Sequence, residues 1–97
     1  MGARGITFEA FKAQALAQGF DEVVERDWKP LTVLDEHIHP FSLEARVVRG
    51  EMWLTAAGRE RHLHPGDTFS LDANAPHAER YGKDGATYWV ARRNQRT

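Results

Sequence analysis

Cysteine is absent from this chain. That excludes disulfides, thiolate nucleophiles and every zinc site built on sulfur. Charge of one sign is missing too. Thirteen Lys and Arg stand against fourteen Asp and Glu, a net charge of -1, and the signs are interspersed. Such a balance leaves no electrostatic footprint for nucleic acid or an anionic membrane. Long apolar runs are lacking, and none approaches the roughly 18 residues needed to span a bilayer. The segment Met1–Gly5 carries no apolar stretch of the signal-peptide kind. The expectation is one small cytoplasmic domain over residues 1–97, with no nucleic acid and no membrane as partner. Arg92, Arg93 and Arg96 read as a solvated C-terminal charge run.

The residues that are present fall into two periods. Phe8, Phe11, Ala15 and Leu16 recur at helical spacing, which predicts a helix over 7–18, with Thr7 as N-cap and Gly19 just beyond the C-terminus. On this reading the stripe Phe8, Phe11 and Leu16 covers an opening of the β structure that follows. From Asp21 the spacing changes to that of short strands. Runs over 21–28, 31–39, 43–48, 52–55, 59–64, 68–71, 76–81 and 86–91 are separated by turn residues. Ala57-Gly58, Pro65-Gly66-Asp67 and Lys83-Asp84-Gly85 are the clearest of these. One helix followed by about eight strands at this spacing predicts an all-β sandwich or barrel.

Chemistry concentrates in His37-Ile38-His39 and His77. Side chains two apart on a strand share a face, so His37 and His39 point the same way. A third imidazole from a neighbouring strand, His77, would complete three ligands around one point and leave positions open. The alternative is a set of hydrogen-bonded histidines in a metal-free pocket. Glu79 and Tyr81 follow His77 at i+2 and i+4 and share its face. Glu79 is a candidate general base or further ligand; a salt bridge to an inward arginine, or a hydrogen bond to Tyr81, is the alternative. Glu44 has the opposite parity to Leu43, Ala45 and Val47. Turning Glu44 inward by a one-residue slip would also bury Arg46, so Glu44 is expected outside or at the rim. His62 and His64 form a second His-x-His, read as surface histidines without a third partner.

Two motifs together resemble the cupins, small double-stranded β-helix barrels of the RmlC-like jelly-roll kind. The first runs from His37-Ile38-His39 through Val47-Val48-Arg49-Gly50. The second opens at Pro65-Gly66-Asp67 and closes at Asn74-Ala75-Pro76-His77. The likeness extends from about Trp28 to Arg93. Departures are Asp72 where proline is usual, Asn74 where glycine is usual and Tyr81 where asparagine is frequent. Leu43 occupies the position of the family's glutamate ligand. The resemblance implies a divalent metal (Zn, Fe, Ni or Mn) on His37, His39 and His77; Glu79 and Tyr81, by their shared face with His77, are the catalytic candidates. It implies metal-dependent chemistry of a dioxygenase or isomerase kind on a small molecule, in a homodimer. A non-enzymatic ligand-binding or sensing barrel is the alternative.

Overall fold

The computed structural model of the chain describes residues 6–94. Met1–Gly5 and Arg96, which entered the readings of the two termini, lie outside the described residues.

Helix α1 spans Phe8–Ala17. The Thr7 hydroxyl caps it by accepting from the Ala10 amide. The helix ends where Gly19 turns to φ +95. There the Gly19 amide donates to Leu16 O and the Phe20 amide to Ala15 O, the paired bonds by which a left-handed glycine closes a helix. Six antiparallel strands follow: β1 Glu22–Trp28, β2 Val33–His37, β3 Phe41–Ala56, β4 Arg59–Leu63, β5 Thr68–Leu71 and β6 His77–Asn94. Strand β6 pairs with β1, β2 and β3, and β3 pairs also with β4 and β5.

The number of strands differs from the eight runs of the sequence reading, for a structural reason. The runs 43–48 and 52–55 are two halves of β3, and 76–81 and 86–91 are two halves of β6. The expected turn at Lys83-Asp84-Gly85 lies inside β6. The two long strands pair along most of their length, with register shifts between Val47 and Arg49 and between Gly50 and Met52. At this bend a Cβ on Gly50 would sit 2.1 Å from Gly85 O, and one on Gly85 would sit 2.2 Å from Trp28 O. Both glycines have positive φ. Three backbones therefore cross at a spacing that only glycine permits, and the chain folds over into a jelly roll without breaking the ladder. The hairpin turn at Ala57-Gly58 is present, with both residues at positive φ as a two-residue β turn requires.

The bend lets the inner faces of the sheet close on one core. Leu43, Ala45, Val47, Met52, Leu54, Leu63, Phe69, Leu71 and Val90 are buried in it, while Glu44 is exposed. Glu44 thus lies where strand parity puts it. Helix α1 packs elsewhere. Phe8 and Phe11 meet Trp89 at ring separations of 5.6 and 5.7 Å, and Ala15 joins Phe20, Val23 and Ala91 in a separate cluster. Val23, Trp89 and Ala91 alternate with the barrel-facing Val24, Tyr88 and Val90. The helix therefore covers the outer face of β1 and β6 and does not cap the barrel opening. Leu16 points away and is exposed.

Candidate metal centre

His37 ends β2 and lies opposite His77, the first residue of β6. His39 follows two residues later, where its carbonyl accepts from the Asn74 amide across a 2.7 Å hydrogen bond. Asn74 has φ +65, a left-handed conformation that asparagine tolerates in place of glycine. This contact holds the loop before β6 against the segment carrying His39. The rings of His37, His39 and His77 have centroids 4.3–5.2 Å apart. One ring nitrogen from each falls within 4.8 Å of the other two.

Two of the three imidazoles are anchored through Nδ1. His37 Nδ1 lies 2.7 Å from Asp35 O, and His77 Nδ1 lies 2.9 Å from Ala75 O. A carbonyl oxygen only accepts, so each Nδ1 is the donor, and each Nε2 is turned toward the other rings and Glu79. Backbone carbonyls hold metal-ligating histidines in this manner. Burial, together with the neighbouring His77, His37 and Arg92, pushes the pKa of His39 down. It therefore favours the neutral imidazole that a metal requires. His39 also stacks on Phe41 at 5.0 Å, which fixes its ring plane. The donor set thus fits a divalent cation of the nitrogen-preferring group.

Glu79 enters the same cluster. It is buried, and its Oε2 lies 3.5 Å from both His37 Nε2 and His77 Nε2. The Tyr81 hydroxyl donates to its Oε1. Of the alternatives weighed for Glu79, the hydrogen bond to Tyr81 is made through Oε1, while Oε2 faces the histidines. Tyr81 stacks on Trp28 at 5.3 Å. Burial foremost, with Tyr88 and Glu79 nearby, raises its pKa far above the usual phenol range. Tyr81 is thus a neutral donor that orients Glu79. It does not line the adjacent cavity, whereas Tyr88 does.

That cavity, about 240 Å³, is bounded by His37, His39 and Glu79 on one side and by Leu34, Phe41, Leu43 and Val90 along its walls. Arg26 and Arg92 line it as well. Neither stands out as a site residue in the sequence. Arg92 is not part of a solvated tail: it belongs to β6 and sits over Phe41 at 4.9 Å. The alternation Tyr88-x-Val90-x-Arg92 is the one local signal for it.

The reading of His62 and His64 also needs correction. They do have a third partner: Glu51 on β3 reaches His62 Nε2 at 2.7 Å, and the three side chains bring ligand atoms within 4.8 Å of one another. This second cluster is on the outside, with His62 flat against Trp53 at 4.3 Å.

The profile of the cupin domain matches residues 26–91, well over half the chain and both histidine motifs. The chain belongs to the cupin family. This cupin is similar to one of the DMSP lyases RdDddP and RnDddQII, with 29% identity and a TM-score of 0.69, over 74% of this chain and 37% of that one. It is similar to the DMSP lyase DddQ from Ruegeria pomeroyi DSS-3 at 26% identity and TM-score 0.65, over 75% and 36%. An RmlC-like cupin from Shewanella frigidimarina shares the fold at 20% identity and TM-score 0.65, over 75% and 66%. The chain spans little more than a third of the length of the two lyases. Comparison with curated proteins gives no match.

Proposed function

We propose that this cupin binds a divalent metal through His37, His39 and His77 and performs metal-dependent chemistry on a small organic molecule, of the lyase, isomerase or dioxygenase kind. One observation carries the reading. Two carbonyl-anchored imidazoles turn their Nε2 atoms to a shared point beside a cavity, with a buried carboxylate 3.5 Å from both. A bound metal would supply a Lewis acid for substrate oxygens. The protein residues supply the rest. The apolar walls exclude water, the Nδ1 bonds hold the rings, and Glu79 takes up or returns a proton at Oε2 while Tyr81 fixes Oε1.

The similarity to DMSP lyases supports an enzyme. The apolar walls Leu34, Phe41, Leu43 and Val90 also suit a second reading, a barrel that binds a small ligand without turning it over. We propose that the chain forms one cytoplasmic domain that pairs into a homodimer. The terminal strands β1 and β4 of the sheet order are edges that a second copy could cover, and sedimentation measures the pairing directly. Among the described residues no helix is long and apolar enough to cross a membrane.

The test is metal content by elemental analysis on tag-free protein, with His77→Ala and His64→Ala beside the parent. The His64 variant separates metal held at the second histidine cluster. Near-stoichiometric metal that His77→Ala loses and His64→Ala keeps supports the reading. A parent that takes up no divalent ion on reconstitution overturns it and leaves the ligand-binding barrel.

A further inference from the structure

The cavity wall away from the histidines is cationic, on an inner face that is otherwise apolar. Strands β1 and β6 pair with Val24 opposite Val90 and Arg26 opposite Tyr88. The inward positions are thus Val24, Arg26 and Trp28 on one strand and Tyr88, Val90 and Arg92 on the other. Arg26 and Arg92 therefore reach the same space. Their guanidinium carbons lie 4.9 Å from the ring centres of Trp28 and Phe41 respectively, so each fork rests against an aromatic face, Arg92 half-buried and Arg26 exposed at the cavity mouth.

These donors are poorly matched within the chain. The buried side-chain nitrogens without a hydrogen-bond partner, among the described residues, are Arg92 Nε and Trp28 Nε1, and both residues line this cavity. Arg92 Nη1 comes no nearer than 3.7 Å to the half-exposed Glu22. Glu79 is the one carboxylate in the cavity wall, and its oxygens face Tyr81 and the histidines. A buried guanidinium N–H left unpaired is costly, and neither Glu22 nor Glu79 accepts from Arg92 Nε. An anionic ligand that does so removes that cost. A planar carboxylate matches an arginine fork through two parallel hydrogen bonds, and on a small organic molecule it leaves apolar atoms for the walls.

We propose that the cavity takes a small organic carboxylate, with its carboxylate group held by Arg92 Nε and Arg26 and its remaining atoms extending past Leu34, Leu43 and Val90 to the histidines. This names the substrate class of the site described above and rests on that reading for the histidine end alone. A volume of about 240 Å³ has room for a ligand the size of about eight waters, below the span of drug-sized pockets.

Malonate and its uncharged isostere malonamide are the probes, measured by calorimetry on the zinc-loaded and metal-free parent and on Arg92→Gln, Arg26→Gln and His77→Ala. Malonate binds the parent, and malonamide binds at least tenfold more weakly. Arg92→Gln and Arg26→Gln each lose about tenfold in malonate affinity, the scale of a charged hydrogen bond, with zinc content unchanged. Equal affinity for the two probes, no malonate binding to the parent, or arginine variants that bind as the parent does, overturns the proposal. Malonate binding lost in His77→Ala and kept in both arginine variants overturns it while the metal reading stands. Arginine-dependent malonate binding by a parent that holds no metal supports it while the metal reading fails.

Discussion

Glu79 Oε2 stands 3.5 Å from His77 Nε2, and both side chains are almost fully buried. The two residues are i and i+2 on β6, so the strand pleat alone brings them to one face. Pairing then adds His37 from β2, directly opposite His77. Leu43, at the position where the resemblance implies a glutamate, is buried in the apolar core, so Glu79 is the carboxylate that lies beside the histidines.

Glu79→Gln is therefore expected to weaken metal affinity by about 10- to 100-fold, the range for losing a residue that supports metal ligands. Glu44→Gln changes nothing, because Glu44 is exposed on the outer face. Competition titration with a chromogenic chelator measures both. Loss of metal from the Glu44 variant alone would reverse the assignment.

The tyrosines set the alkaline limit of stability. Burial foremost raises the pKa of Tyr81 and of Tyr88, whereas an unfolded tyrosine titrates near 10. Both phenols stay protonated in the fold when the unfolded chain has begun to lose its protons. Their stabilisation is full below about pH 10 and is lost as pH rises from there toward the folded values, at about 1.4 kcal/mol per pH unit for each group. Denaturant unfolding between pH 9 and 11 reads the slope. Tyr81→Phe removes its share of it, and also leaves Glu79 without its donor, so this variant is less stable at neutral pH by about 1–3 kcal/mol.

Gly50 and Gly58 share φ +75 and differ in their surroundings. A Cβ on Gly58 meets nothing within 4 Å, whereas on Gly50 it meets Gly85 O at 2.1 Å. Gly58→Ala is expected to lose about 1 kcal/mol from backbone strain alone. Gly50→Ala loses about 3 kcal/mol or more, because overpacking adds to the strain. Thermal denaturation of the pair separates the two effects. Equal losses would mean that the crossing of β3, β6 and the segment after β1 is looser than the distances indicate.

Thr7→Ala removes the cap of α1 and is expected to lower stability by about 1 kcal/mol. Phe11→Ala, which takes away a partner of Trp89, lowers it by about 3 kcal/mol, at the lower end for a packed aromatic because Phe11 is only partly buried. Neither changes metal content, because the helix covers the outer face of β1 and β6. Metal lost with either variant would place the helix closer to the barrel mouth than its contacts do.

Much of the site is legible in the sequence. Local spacing is enough for the shared face of His77, Glu79 and Tyr81, for the outward position of Glu44 and for the hairpin at Ala57-Gly58. These depend on the pleat and on turn chemistry, which act over a few residues. The continuous course of β3 and β6 is not legible there. Gly50 and Gly85 look like turn residues in isolation and serve instead as crossing points of three backbones. Glu51 gives no local sign of being the partner of His62, because the β3–β4 register that joins them is not written in either segment.

The sequence by itself determined the strand faces, the helix and its two ends, and the histidine pattern of a cupin, because periodicity and capping are local. Only the tertiary structure decided that Arg92 lines the cavity beside Arg26, that Glu79 is shared between two histidines and a tyrosine, and that α1 lies outside the barrel. Those relationships arise from the pairing of β6 with three different strands, and pairing over such distances is set by how the whole sheet buries its apolar face.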